Sequence, residues 1–283
     1  TQALVWCDKL CRGVPFAGGY AFVLAAEKLA GIEVPKRAGQ IRTLLSEVAR
    51  VAAGLTMTGN LARDTGNTAA GAIAAKACQR IDALLKDIVQ TPFCTYFRAG
   101  GVAHDLADGF ASKITAWATD GVLPVLDELK RLIDNGIFRS RTCGVGTIGP
   151  NEAVSAGLTG CNARASGVKR DVRVDDPYDA YSDVRPDVSV QKDGDCYARF
   201  KVRINEIYQS LDIIRRLIPQ FSAGESNAFK PSETATLTGL STHFETMVHG
   251  LPLPKGEVYA AVETPFGESG VYLVGDGTPT PYR

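Results

Sequence analysis

The chain has 283 residues, 45% of them hydrophobic, with 31 lysines plus arginines against 31 aspartates plus glutamates. That length buries a sizeable core in one large domain or two small ones, and the zero formal net charge offers no field to draw nucleic acid or an acidic membrane surface. The longest apolar stretch, around residues 20–26, is far short of the roughly 20 residues a membrane-spanning helix needs. The chain opens Thr1-Gln2-Ala3 without methionine, which leaves room for a removed leader or a missing upstream part. Seven cysteines (Cys7, Cys11, Cys78, Cys94, Cys143, Cys161 and Cys196) are odd in number and scattered, with no CxxC pair. They read as free thiols of a reducing compartment, most of them buried, rather than as a disulfide framework.

The first half reads as helix. Residues 16–30 are apolar and end at Gly31, a C-cap. Ile41, Leu44, Leu45, Val48, Val51, Ala52 and Leu55 recur at helical period and mark a second helix. A third covers residues 68–90, with Ile73, Cys78, Ile81, Leu84, Leu85 and Ile88 inward and Pro92 as its stop. Residues 123–133 continue the pattern with Leu126, Leu129, Leu132 and Ile133 on one stripe. The small residues along these helices permit close packing into a bundle over 1–141. From 142 to 194 glycine, proline, aspartate and serine become frequent, which predicts a loop-rich insert with short strands. The section 195–254 returns to helix: a long one to about Ile218, with Val202, Ile207, Leu211, Ile214 and Leu217 as its stripe and Pro219 as its end, then a shorter one over 233–249. In 255–283, Val258, Ala260 and Val262 alternate with Tyr259, Ala261 and Glu263, Pro265-Phe266-Gly267 turns the chain, and residues 271–274 return. That is a β-hairpin, so the fold class is mainly α (α+β).

Motifs for known chemistry are sparse. There is no phosphate-binding loop and no GxGxxG, since Gly144, Gly146 and Gly149 are spaced differently, and no GxSxG elbow or HExxH. His104, His243 and His249 lie apart, and the last two are six residues apart on different faces of one expected helix, so surface or cap roles fit them better than a zinc site. One constellation stands out: Arg98-Ala99-Gly100-Gly101-Val102-Ala103-His104-Asp105, set between two expected helices. Its glycines allow close backbone approach or positive φ, and Arg98, His104 and Asp105 bring together a cation, a titratable ring and an anion. The plainer reading is a capped turn with Asp105 as N-cap of the next helix.

The C-terminal run from Gly256 to Arg283, with Glu263, Pro265, Gly267, Glu268, Gly270, Tyr272, Asp276 and Gly277, closely resembles the D subunit of NADH:quinone oxidoreductase, the forty-nine-kilodalton subunit of complex I. Further matches occur in the same order upstream, over residues 25–38, 97–102, 135–142, 177–181 and 194–199, so the resemblance covers nearly the whole chain. It implies a hydrogenase large-subunit-like helical bundle with peripheral β structure. It also implies a peripheral-arm core subunit at the quinone-reduction module, where electrons from NADH pass through iron–sulfur clusters to quinone. In that family the subunit holds no metal itself. The adjacent cluster sits in a small partner subunit, and quinone enters between the two from a membrane-arm channel subunit. The implied location is the matrix side of the mitochondrial inner membrane, or the cytoplasmic side of a bacterial plasma membrane, with no nucleic acid involved.

The departures from the family pattern fall on its quinone contacts. Where the family reads Asp-Arg-Leu-Asp-Tyr, this chain has Asp8-Lys9-Leu10-Cys11-Arg12, so Arg12 stands in place of the tyrosine that hydrogen-bonds the quinone and Cys11 in place of the second aspartate. Where it reads His-Gln-Asp beside the cluster, this chain has Ala103-His104-Asp105. No catalytic residue of the family is thus intact. A guanidinium stays protonated and cannot act as the acid that quinone reduction needs. The family's N-terminal His-Gly loop and its continuation past Arg283 have no counterpart here. Two roles follow: a working subunit whose ends come on separate chains, or a degenerate or split structural subunit that keeps only the docking surface. A nickel–iron hydrogenase is disfavoured, since Val14 stands where the second cysteine of a CxxC pair beginning at Cys11 is required.

Overall fold

A computed structural model describes residues 2–10, 14–86, 95–132, 135–228 and 252–283, with 241, 244, 248 and 250. Helix α1 spans Gln2–Leu10 and α2 spans Ala17–Ala30, which Gly31 closes in the left-handed region at φ 64°, as expected. The spine is α3, Lys36–Asp64, 29 residues long and so about 43 Å at 1.5 Å per residue. Its predicted stripe is buried, apart from the half-buried Ala52.

Helix α4, Thr68–Leu85, starts at Asn67, whose side chain accepts from the Ala70 amide at 3.0 Å. Its inward face differs from the expectation. Ile81 and Leu85 are buried, but Ala70, Gly71, Ala74 and Ala77 fill the rest of the contact, while Ile73 is 41% exposed and Cys78 and Leu84 are half-buried. The cause is close approach to α3: a Cβ on Gly59 would lie 2.6 Å from the Ala74 Cβ. Small residues chose the face, and large ones were turned outward. The expected continuation to Gln90, with Ile88 and Pro92, lies outside the described residues.

Strands β1, Phe97–Arg98, and β2, Gly101–Val102, form a short antiparallel hairpin. Helix α5, Phe110–Ala116, runs through a π-helical stretch, Trp117–Val122, into α6, Leu123–Arg131. Leu126, Leu129 and Leu132 are buried as predicted, and Ile133 lies outside the described residues. Helix α7, Gly136–Thr142, is capped by Asn135.

The insert contains no strands. Residues 142–194 fold instead into α8, Pro150–Ser155, α9, Gly160–Ala165, α10, Val172–Asp175, and a 3-10 turn, Asp179–Ser182. Polar groups stabilise single turns locally, as where Asp171 accepts from the Arg173 amide at 3.0 Å, and such turns compete with extended pairing. The long helix α11, Cys196–Leu217, appears where expected, with its whole predicted stripe buried. Asp195 caps it, accepting from the Ala198 amide at 2.7 Å and, from across the insert, the Gly144 amide at 2.8 Å. The helix expected over 233–249 falls largely outside the described residues, with His243 and His249.

The terminal hairpin pairs β3, Gly256–Thr264, with β4, Gly267–Gly275, in the register Thr264↔Gly267. The return strand therefore begins at Gly267, four residues before the point expected from the sequence. The hairpin lies on α2, where Ala25, Leu253, Ala260 and Leu273 are buried together. The molecule is thus mainly helical with peripheral hairpins, and one continuous core runs from Val14 through Leu44, Ala180 and Ile207 to Val262.

Candidate functional site

The motif Arg98–Asp105 is a hairpin and its exit, not a capped turn before a helix. Ala99 and Gly100 connect β1 to β2, with φ 85° at Gly100 and 150° at Gly101. The second glycine is needed because another segment crosses it: a Cβ on Gly101 would lie 2.8 Å from the Asn227 Cα. That segment is fastened at both ends, Val102 donating to the Ser226 carbonyl at 3.0 Å and Ala228 to the Gly100 carbonyl at 2.7 Å.

Beneath the hairpin lies a fully buried arginine. Arg42 donates to the Gly101 carbonyl from Nε at 3.1 Å and from Nη2 at 2.8 Å, and to the Arg98 carbonyl at 2.7 Å. Its fork meets Glu27, whose Oε1 also accepts from the Gly100 amide at 2.7 Å. Asp179, hydrogen-bonded by the Tyr20 hydroxyl, adds a second carboxylate 3.7 Å from Arg42. Burial pushes the Glu27 carboxyl up despite Arg42. Burial pulls the Arg42 guanidinium down, but the hydrogen bonds of Glu27 and the charge of Asp179 outweigh it. The backbone of the motif is thus held from inside, while the Arg98 side chain is left exposed.

His104 and Asp105 follow on the exposed exit. The His104 ring stands edge-on to Tyr96 at 4.9 Å, and the Tyr96 hydroxyl donates to the His104 carbonyl at 2.6 Å. The half-buried Ala103 continues the ladder through its amide to the Tyr96 carbonyl at 2.8 Å. Asp105 does not cap a helix, since α5 starts at Phe110 after Gly109. It accepts from the Leu106 amide at 2.7 Å and from both sides of the Arg37 fork, at 2.7 and 2.9 Å. Burial alone would raise the Asp105 carboxyl, but Arg37 and Leu106 hold it below the usual carboxylate range.

The other candidate positions lie apart. Lys9 sits on α1, its ammonium 4.5 Å from the exposed Trp6 ring. Cys11, Arg12 and the Asp8 side chain fall outside what the structure describes. The C-terminal positions are fastenings. Glu263 is buried, taking Arg164 at 2.8 Å and the Val172 amide at 3.2 Å. Pro265 is buried in the turn, and Gly267, at φ 128°, lets that turn close on Thr159. Glu268 binds Arg170 at 3.0 Å and takes the Tyr259 hydroxyl at 2.8 Å, and Gly270 lies under that tyrosine ring. Tyr272 hydrogen-bonds Glu257, Asp276 takes the Thr278 amide at 3.0 Å, and Gly277 donates to the Leu253 carbonyl at 3.0 Å.

These contacts belong to a wider ionic interior. Arg173 bridges Glu47 at 3.1 Å and Asp171 at 2.7 Å, and Arg164 binds Glu206 at 2.7 Å. Burial raises the Asp171 carboxyl, but the charge of Arg173 overrides it and holds the group down at about 2. Among the described residues no three histidine, cysteine or acidic side chains converge to hold a metal ion. The described cysteines are free thiols, and burial pushes Cys161 up to about 12.

The family model of the respiratory-chain NADH dehydrogenase 49 Kd subunit matches residues 49–283. The chain belongs to this family. The second D-type subunit of the NADH-quinone oxidoreductase of Rhizobium etli (strain CIAT 652) is 38% identical over 296 residues, covering 100% of this chain and 72% of the relative. The D-type subunit of the same enzyme in Orientia tsutsugamushi (strain Ikeda) is 36% identical over 291 residues, covering 100% of this chain and 74% of its own length. Its counterpart in Paramagnetospirillum magneticum (strain ATCC 700264 / AMB-1) is 38% identical over 292 residues with the same coverage. Among the described residues no helix of this 49 Kd family member is long and apolar enough to cross a membrane.

Sequence reasoning located the motif but missed what holds it. Glu27 and Arg42 are 15 residues apart, separated by the break at Gly31–Pro35, and no helical spacing joins them. The one available signal was a glutamate and an arginine placed within otherwise apolar helix faces.

Proposed function

We propose that this chain is a peripheral-arm core subunit of complex I at its quinone-reduction module, where electrons from NADH pass through iron–sulfur clusters to quinone. The observation that carries the reading is the Arg98 hairpin. Its backbone is fixed from beneath by Glu27 and Arg42, and its outer side presents Arg98 and His104. A preorganised, exposed cation is suited to a partner surface or to developing negative charge. The partners implied are the small cluster-bearing subunit, other peripheral-arm subunits and the membrane-arm subunit that channels quinone. The chain supplies no cofactor ligands, the cluster belongs to the partner, and quinone is the substrate. The location is the matrix face of the mitochondrial inner membrane or, in a bacterium, the cytoplasmic face of the plasma membrane.

A second reading is favoured by one observation: Cys11 and Arg12 stand where the family carries an aspartate and the quinone-binding tyrosine. On that reading the chain keeps the docking surface and has lost quinone chemistry. Arg12 supplies positive potential but no transferable proton. The experiment is NADH:quinone turnover in the purified assembly with Arg12→Gln and Arg12→Tyr. A working site that uses Arg12 electrostatically loses about tenfold for each 1.4 kcal/mol of transition-state stabilisation on Arg12→Gln. A chain kept only for docking shows no change with either substitution.

A further inference from the structure

A line of touching aromatic rings runs from the exposed hairpin to the buried ionic cluster. The exposed His104 ring stands 4.9 Å from Tyr96. Tyr96 lies 6.2 Å from Phe97, and Phe97 lies 4.9 Å from Tyr20. Tyr20 is 5.4 Å from Tyr178, which is 4.8 Å from Tyr181. These centroid separations all fall within the roughly 4.5–7 Å range of rings in contact. Packing alone does not call for the hydroxyls. Phenylalanine fills the same space and buries no polar group, yet four of the five rings behind His104 are phenols. Two of the phenols aim at carboxylates: Tyr20 donates to Asp179, and Tyr181 donates to Glu47 at 2.6 Å. Burial, reinforced by those carboxylates, pushes both phenols well above their usual range, so both stay protonated. Burial would raise the Glu47 carboxyl, but Arg173 and Arg50 hold it below its ordinary value and so ionised.

A phenol gives up an electron far more readily than a phenyl ring, provided its proton has somewhere to go. An oxidised phenol is a much stronger acid than any carboxylic acid, so a carboxylate within hydrogen-bond reach takes the proton as the electron leaves. Tyr20 and Tyr181 meet that condition. Tyr96 does not, since its hydroxyl donates to the His104 carbonyl, a far weaker base. An oxidising equivalent admitted at Tyr96 therefore moves inward and rests on Tyr20 or Tyr181. Phe97 is not itself oxidised and serves as the packed ring between Tyr96 and Tyr20. We propose that these rings form a one-electron relay, in which a peroxyl radical at the hairpin face draws an electron through Tyr96 from Tyr20 or Tyr181 while the phenolic proton passes to Asp179 or Glu47. The peroxyl radical takes that electron and a solvent proton and leaves as the hydroperoxide. A soluble thiol then returns one electron, and the carboxylate gives its proton back to the phenol. The thiol's own proton goes to solvent, leaving a thiyl radical. The relay uses neither the Arg98 side chain nor the quinone-equivalent positions, and does not depend on either.

The test delivers an oxidant at His104 of the full chain. His243→Gln and His249→Gln leave His104 as the single histidine. Its Nδ1 faces the Asp105 carbonyl at 3.0 Å, which leaves Nε2 to coordinate a ruthenium bipyridyl photo-oxidant. A light flash with a soluble electron acceptor turns the label into a one-electron oxidant. Transient absorption and freeze-quench electron paramagnetic resonance then read the yield and lifetime of tyrosyl radical. A long-lived radical is expected, formed more slowly in deuterium oxide than in water. Tyr20→Phe is expected to abolish the long-lived signal, because Tyr20 is also the link to Tyr178 and Tyr181. Tyr282→Phe, at an exposed phenol outside the line, is expected to leave the signal as it was. If Tyr20→Phe does not fold, Asp179→Asn keeps every ring and removes the proton acceptor of Tyr20, and the long-lived yield is expected to fall. The proposal is overturned if the labelled parent gives no tyrosyl radical, or if the radical forms at the same rate in both solvents. It is equally overturned if yield and lifetime are unchanged in whichever of the two variants folds.

Discussion

Arg42 and Glu27 meet fork to fork, Nη2 to Oε1 at 2.6 Å and Nη1 to Oε2 at 3.1 Å, with the arginine wholly out of solvent. The pair lies on two helices, α2 and α3, and reaches a third element through the Gly100 amide and the Arg98 and Gly101 carbonyls. It is therefore the link between the bundle and the exposed hairpin. Glu27→Gln leaves Arg42 with a displaced charge, and breaking a buried pair in this way costs about 3–5 kcal/mol. Glu27→Gln combined with Arg42→Met is expected to cost less than the sum of the two single changes, because the pair acts as a unit. Denaturant unfolding of the four proteins measures this, and strictly additive losses would sink the idea.

Acid should act on the second ionic cluster in a defined direction. The folded-state value of Asp171 is depressed to about 2 from the ordinary 3.8. A depressed carboxyl contributes stability that is present above its unfolded value and is lost as pH falls through the folded one. The window is therefore between about pH 4 and pH 2, and the contribution is on the order of 2 kcal/mol. Glu47 is shifted the same way, since Arg173 and Arg50 outweigh the burial that would raise it. Asp171→Asn should destabilise the chain at neutral pH, with a difference from the parent that shrinks across this window. A difference that stays constant with pH contradicts the assignment.

Gly267 ties the terminal hairpin to the insert. At φ 128°, and with a Cβ that would collide with Thr159, it has no room for a side chain. Gly267→Ala should cost about 1–3 kcal/mol and expose the β3–β4 amides to hydrogen exchange before the α3–α11 core. Unchanged protection of the hairpin would contradict this.

Much of this architecture was legible. Residues on α3 and α11 bury at period 3.6, and the alternation of β3 fixed a hairpin, because a single strong period marks a single buried face. The return strand was read short because Glu268, Ser269 and Gly270 carry no strand propensity, yet pairing with β3 imposes it on them. On α4 the buried face belongs to small residues, and the size of Ile73 misled. The ionic interior was invisible because arginine and glutamate belong on the surface by default, and their burial depends on partners that no local spacing reveals, as with Glu47 and Arg173, 126 residues apart. The candidate site was found by its glycines, while its supports, Glu27 and Arg42, were not.

Arg37 and Asp105 close the exit of the hairpin in a bidentate contact that is partly open to water. Solvent screening keeps such a pair to about 0–1 kcal/mol. Asp105→Asn should therefore leave the unfolding midpoint nearly unchanged, while moderate salt changes parent and variant alike. A loss comparable to that of Glu27→Gln would show that the exit, rather than the buried pair, holds the motif.

The central claim is that this chain belongs to the quinone-reducing module of complex I. The measurement that tests it most directly is NADH:quinone turnover in membranes with and without the chain, beside NADH oxidation by an artificial one-electron acceptor. The account predicts that removing the chain abolishes quinone reduction, that restoring it recovers the activity, and that NADH oxidation by the artificial acceptor continues. Quinone reduction that proceeds at the parent rate in the chain's absence would contradict it.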